Sequence, residues 1–196
     1  RIVAMAEDSF YTGDTWQGGL DMAVSKKRMI LASIAARASG EHVDTTGKIR
    51  WFNTADGTFS APIDVPGAMG VGMDRNGNGL VAVGNEIRRY EFYANSYSVL
   101  IHDSLNSPYR IDVNPENGDI YVAEGGDFWT TDNQVKRFDE DGAWCQTYGK
   151  PGGRPAEGAY NPNDGVRDIA DLAVAADGSF WICEQSHGTR RHAHNS

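Results

Sequence analysis

The stretch Tyr109-Arg110-Ile111-Asp112-Val113, Asn114-Pro115-Glu116-Asn117-Gly118-Asp119, Ile120-Tyr121-Val122-Ala123-Glu124 places two runs rich in β-branched and aromatic residues on either side of an Asn-Gly pair. Such a pair tolerates the positive φ of a tight hairpin turn, and the flanking runs suit a pleated, half-buried strand. Downstream, Asn133-Gln134-Val135-Lys136-Arg137-Phe138-Asp139 leads through Glu140-Asp141-Gly142 to Ala143-Trp144. The whole predicts a meander of four short antiparallel strands from Tyr109 to Gly149.

The same unit recurs in both directions. Met73 to Val83 and Val174 to Cys183 repeat the first hairpin around its glycine turn. The third strand repeats as Lys48-Ile49-Arg50-Trp51-Phe52-Asn53, Glu86-Ile87-Arg88-Arg89-Tyr90-Glu91 and Gln134-Val135-Lys136-Arg137-Phe138-Asp139. Ile49 and Ile87 are 38 positions apart, and Ile87 and Val135 are 48 apart, so the period varies through its loops. A recurrence of roughly 40–50 residues with about four strands per unit is the mark of propeller blades, whose sheets must stack on neighbours to bury both faces. The expected fold is therefore an all-β propeller of four-stranded antiparallel blades. About four blades are expected in one domain over 1–196, at approximately 20–65, 69–104, 109–149 and 169–196.

Two segments are less regular. Leu20 to Gly40 contains Lys26-Lys27-Arg28-Met29-Ile30-Leu31-Ala32, which has helical propensity by composition. Its fit to the repeat favours strands instead. The connection Lys150 to Gly165 is long and rich in Gly, Pro and Asn, which makes it a candidate binding edge. Four units with the last incomplete would expose apolar blade faces. Three arrangements answer this: an excerpt of a longer, six-bladed ring; closure of the fourth blade by Ile2-Val3-Ala4-Met5; or self-association of two copies through open blade edges.

Composition narrows the partners. With 23 glycines and only 23% charged residues, the chain suits a turn-rich β protein. No run approaches the ~20 apolar residues of a membrane helix, so no membrane partner is expected. A net charge of −9 argues against nucleic acid, whose phosphates need a basic surface. The two cysteines, Cys145 and Cys183, fall in different units and are expected as buried free thiols, which leaves the redox compartment open. An extracellular or periplasmic location is the expectation.

The run Ile111-x-Val113, Gly118, Ile120-Tyr121-Val122-Ala123, Asn133-x-Val135, Phe138, Asp141-Gly142, then Gly149, Gly152, Gly158 and Tyr160 resembles the NHL-repeat β-propeller. It is more distantly similar to the regucalcin and gluconolactonase propellers. The resemblance is clear over 109–185, weaker over 47–104 and absent over 1–19. It implies a six-bladed ring, and a structural role for the acid after the second strand, Glu124 and Glu184, in tying the adjoining loop through backbone N–H groups. The gluconolactonase metal site does not carry over, because its four oxygen ligands have no position-by-position match here.

Several residues could carry chemistry. The repeat aligns Asp21, Gly70, Arg110 and Asp171 at the start of the innermost strands, around the channel. Two carboxylates and a guanidinium there could bind a cation, a carboxylate or a polar sugar; the competing reading is a salt-bridge cluster. Glu124 with Asp127, and Glu184 with His187, could form a calcium or zinc site of oxygen and imidazole ligands. Asp74-Arg75-Asn76-Gly77-Asn78-Gly79 opens like a calcium loop, but Asn85 stands where the bidentate Glu is required, and the repeat makes the run a hairpin turn. His192 and His194 resemble a metal pair only by their number.

Two functions follow as expectations. One is a binding module that recognises a protein or carbohydrate ligand through the blade tops and the 150–165 loop, with Trp129, Tyr148 and Tyr160 as exposed aromatics. The other is a metal-dependent hydrolase or lyase, lactonase-like, at the channel mouth. No nucleophile elbow, His-Glu-x-x-His or phosphate loop is present.

Overall fold

The computed structural model of the chain describes residues 11–12, 15–24, 29–38, 46–91, 96–125, 132–155 and 165–184. Every regular element among them is a β-strand. In order these are β1 (Tyr11–Thr12), β2 (Thr15–Val24), β3 (Met29–Ala38), β4 (Thr46–Asn53), β5 (Ile63–Asp64), β6 (Ala68–Met73), β7 (Gly79–Val83), β8 (Glu86–Tyr90), β9 (Tyr97–Ile101), β10 (Pro108–Val113), β11 (Ile120–Glu124), β12 (Gln134–Phe138), β13 (Trp144–Tyr148), β14 (Ile169–Val174) and β15 (Phe180–Glu184). They form four antiparallel sheets, β1–β5, β6–β9, β10–β13 and β14–β15, each with its strands in sequence order. The sheets stack face to face as the blades of a β-propeller, about four of them in this chain. The segment with helical composition forms β2 and β3, paired from Thr15↔Ala38 to Val24↔Ile30, so pairing overrides a weak propensity. Ile2-Val3-Ala4-Met5 lies outside the described residues.

Three apolar clusters occupy the seams between blades. Trp51 and Ile49 of the first blade pack with Val71, Val81 and Tyr90 of the second. Leu80, Ala82 and Ile87 of the second pack with Ile111, Val113, Ile120, Val122 and Phe138 of the third. Tyr121, Ala123 and Val135 of the third pack with Ile169 and Leu172 of the fourth. The second strands β7 and β11 are buried at every position, because alternate residues serve opposite seams. Val81 faces blade one and Leu80 blade three; Ile120 faces blade two and Tyr121 blade four. The repeat markers Ile49, Ile87 and Val135 all lie on third strands and are all buried. Blade one departs from the expected pattern at its rim. Phe59 makes only an isolated bridge to Phe52, and the outer strand is the two-residue β5 at Ile63–Asp64.

The hairpin turns follow one scheme. In the turn after β10, the Gly118 N–H donates to Asn114 O at 3.0 Å while the Glu116 N–H donates to Asn114 Oδ1 at 2.8 Å, and Gly118 takes φ 83°. That left-handed conformation is why glycine follows Asn117.

Backbone meets backbone in the seam between β6 and β10. A Cβ on Gly70 would stand 2.3 Å from Tyr109 O and 2.8 Å from Arg110 Cα, both backbone atoms that cannot swing away. Gly70→Ala is expected to lower the unfolding free energy by about 3 kcal/mol, the upper range for overpacking. Gly72→Ala should cost less, because its nearest neighbour is the Ile111 side chain. Denaturant titration of both variants checks the order; a Gly70→Ala protein as stable as its parent would contradict the seam.

Candidate functional site

The strands β2, β6, β10 and β14 each carry a bulge, midway along β2 and near the start of the other three, with register shifts between Gly19 and Asp21, Ala68 and Val71, Pro108 and Arg110, and Ile169 and Asp171. Such an extra residue re-aims the side chain that follows it. Asp21, Arg110 and Asp171 resume the ladder there opposite Ser33, Ala123 and Cys183. Gly70 holds the corresponding place in the second blade.

Beyond the bulges, carboxylates tie one blade to the next. Asp21 Oδ1 accepts the Met22 N–H at 2.8 Å, and Oδ2 accepts the Val71 N–H of blade two at 2.9 Å. Asp112 repeats the device one step deeper, accepting the Val113 N–H at 2.9 Å and the Val174 N–H of blade four at 2.7 Å. Asp171 makes the local half, taking the Leu172 N–H at 2.9 Å. Hydrogen bonds to a charged acceptor contribute about 1.5–3 kcal/mol each, so these are structural ties as well as site groups.

The three aspartates line one cavity of about 500 Å³ around the axis, with aliphatic walls that include Val71, Met73, Ile111, Val113 and Leu172. Burial raises the Asp21 carboxyl above the ordinary aspartate range. The Val71 N–H, the Arg110 guanidinium and the Met22 N–H oppose this, and Asp171 adds a smaller upward push. Burial raises Asp112 as well, against the Val174 and Val113 N–H groups, and the carboxylates of Asp171 and Asp21 add to it. Arg110 folds back: its guanidinium lies 3.9 Å from the centre of the Tyr109 ring and donates to Tyr109 O at 3.1 Å. It acts on the cavity through its charge. Asp112 escaped the sequence reading, although the equivalent positions in the other blades, Ala23, Gly72 and Ala173, are all small and an acid among them was the available signal.

Glu124 and Glu184 sit at the ends of the second strands and bond to the connections between blades. Glu124 is fully buried; its Oε1 accepts the Asn106 N–H at 2.7 Å, and its Oε2 lies 2.5 Å from Lys136 Nζ. Lys136 also donates to Ser104 O, so one ion pair fastens the β9–β10 connection. Glu184 does the same for the β13–β14 connection, accepting from the Arg167 N–H at 2.8 Å and Arg154 Nη2 at 2.7 Å. Among the described residues no group of three His, Cys, Asp or Glu side chains is placed to hold a metal ion. His187, Asp127, Trp129, Tyr160, His192 and His194 lie outside the described residues.

Other expectations resolve differently. Tyr148 is not a free aromatic: it stacks on Tyr121 at 6.4 Å and meets Phe180 edge-on at 4.9 Å, in the seam between blades three and four. Both cysteines are exposed rather than buried. Cys145 lies on the outer strand β13, and Cys183 faces the side of blade four that no described blade covers. Asp74 is the acceptor of its own hairpin, taking the Asn76 and Asn78 N–H groups at 2.9 and 2.8 Å, as Asn114 does in blade three.

The sequence matches no protein family and no curated protein. Solved structures do resemble the fold. Hydrazine synthase of Kuenenia stuttgartiensis shares 11% identity over 93% of this chain and 46% of its own, with a TM-score of 0.58. A candidate gluconolactonase shares 18% over 84% of this chain and 54% of its own, with a TM-score of 0.56. A gluconolactonase of Xanthomonas campestris shares 12% over 85% and 54%, with a TM-score of 0.53. The chain spans about half the length of these structures. At such identities the likeness establishes the fold and leaves the activity to the site itself.

Two predictions test the carboxylates. A carboxyl whose pKa is raised by folding binds protons more readily in the folded state, so stability falls as pH rises from the ordinary aspartate value of 3.8 through the raised one. Asp112→Asn removes that dependence. The stability of the parent relative to the variant should therefore fall as pH rises through this window, measured by equilibrium unfolding at a series of pH values. Glu124→Val strips Lys136 of its buried partner and should cost about 3–5 kcal/mol. Valine occupies the corresponding place in blade two, as Val83, so adding Lys136→Met should restore most of the loss. Thermal melts of the single and double variants decide.

Proposed function

We propose that the chain is an NHL-like recognition propeller whose axial cavity takes a hydroxyl-bearing ligand, a glycan end or sugar. The observation that carries this reading is the make-up of the cavity: three carboxylates held by backbone N–H groups beside aliphatic walls, in a volume of about 500 Å³. Pockets of about 300–1,000 Å³ with few, fixed polar groups suit small-molecule recognition. Tied carboxylates keep outer lone pairs for sugar hydroxyls, and Met22 and Val24, exposed where they line the cavity, supply surface for the ring's apolar face. Because Asp21 and Asp112 each bind two backbone N–H groups, they are fixed in place, which favours recognition over a rearranging metal cage.

The raised carboxyls of Asp21 and Asp112 support a second reading, a hydrolase at the channel mouth, since perturbed acids in a cavity are also what acid–base chemistry requires.

Calorimetric titration with a panel of mono- and oligosaccharides tests the first reading, with Asp112→Asn as the comparison. Binding that weakens at least about tenfold in the variant supports it. No saccharide binding by the parent, together with a melting temperature raised by calcium or zinc, favours the hydrolase.

A further inference from the structure

Turns in all four blades close on a glycine with a left-handed φ: Gly57, Gly77, Gly118, Gly142 and Gly178, at 77°, 88°, 83°, 89° and 83°. The residue before that glycine is an aspartate in Asp56, Asp141 and Asp177, and an asparagine in Asn76 and Asn117. Both asparagines are exposed. An Asn-Gly pair carries a chemistry of its own, because a following residue without a Cβ leaves its main-chain nitrogen open to the asparagine carboxamide.

The two pairs are held differently. In both, the glycine N–H closes the turn at 3.0 Å, on Asp74 O and on Asn114 O, so that bond does not tell them apart. The Asn117 carboxamide is fixed at both ends by Asp119: its Oδ1 accepts the Asp119 N–H at 3.0 Å, and its Nδ2 donates to Asp119 Oδ2 at 3.0 Å. Asn78 stands in the first turn where Asp119 stands in the second, with its own Nδ2 committed to Asp74 Oδ2 at 2.9 Å. The carboxylate that clamps Asn117 thus has no counterpart at position 78. The products differ too. An aspartate at 117 would set a second carboxylate against Asp119. An aspartate at 76 would repeat Asp56 and Asp177, whose Oδ1 atoms accept the Thr58 and Ser179 N–H groups, each at 2.9 Å.

We infer that Asn76 is a self-modification site, which deamidates in the folded chain ahead of Asn117. The Gly77 N–H gives its proton to solvent, and the nitrogen attacks Asn76 Cγ. As that C–N bond closes a succinimide, the Cγ–Nδ2 bond breaks and the amide leaves as ammonia, taking a proton from solvent. Water then opens the ring at either carbonyl, leaving aspartate or isoaspartate at 76. Water is the co-reactant, and nothing is oxidised or reduced. The wall of the axial cavity, which Asp74, Arg75 and Gly77 help to line, thereby gains a negative charge.

Peptide mapping by mass spectrometry, on the full chain held folded at mildly alkaline pH, tests this. Acid at residue 76 should accumulate at least about fivefold faster than at residue 117, where two hydrogen bonds must break before the amide can react. In urea, where neither turn persists, the two rates should converge. Asp119→Ser places in this turn the residue that Ser179 supplies in blade four, and should speed conversion at 117 at least about fivefold while leaving 76 unchanged. If that variant loses the parent's β-sheet dichroism, Asp119→Asn serves instead. Three results would each overturn the proposal: conversion at 117 that keeps pace with 76 in the folded chain, no acid at 76 in the folded chain while the chain in urea forms it, or an Asp119 variant in which 117 stays as slow as before.

Discussion

A strand that is apolar on both faces has to be covered twice, and the rest of this structure follows from that need. β7 and β11 are buried along their whole length. Each large aliphatic or aromatic side chain removed from water contributes about 1.5–3 kcal/mol, so sheets with two such faces are stable only in a stack. The turns between strands are short and polar, which leaves stacking rather than connection as the organising force. Blade order, seam composition and the presence of an axis are consequences.

At that axis the requirement changes. Among the described residues β6, β10 and β14 have no further strand to pair with on their axial side, so their inward N–H groups need acceptors. Asp21 and Asp112 supply them from the preceding blade, at the cost of bringing acids together in a partly buried space. The same side chains thereby hold the blades and give the cavity its character. Glu124 and Glu184 perform the corresponding task at the outer connections, where Lys136 and Arg154 neutralise them.

Much of this was legible in the residues. The spacing of Asn-Gly and Asp-Gly pairs and the recurrence around Ile49, Ile87 and Val135 carry strand order and blade stacking, because turn chemistry and apolar pattern are local. The bulges set Asp21, Gly70, Arg110 and Asp171 at equivalent positions for the same reason. Asp112 was harder: within Ile111-Asp112-Val113 it reads as the outward member of an alternating strand, and only the approach of β14 reveals what its carboxylate meets. Burial of Cys183 was misjudged because its strand resembles β7 and β11, whereas its outer side has no neighbouring blade among the described residues. Arg110 was expected in the channel, and the Tyr109 ring drew it back, a contact between adjacent residues that no repeat alignment encodes.

The near-contact of backbones at Gly70 has a mechanical meaning. At that point two sheets meet without an intervening side chain, so there is no rotamer to yield and no gap to close, and their local spacing is set by main-chain geometry. Blades two and three therefore have a fixed pivot there. Any breathing of the axial bore, whether to admit a guest or to release one, has to leave that pivot in place.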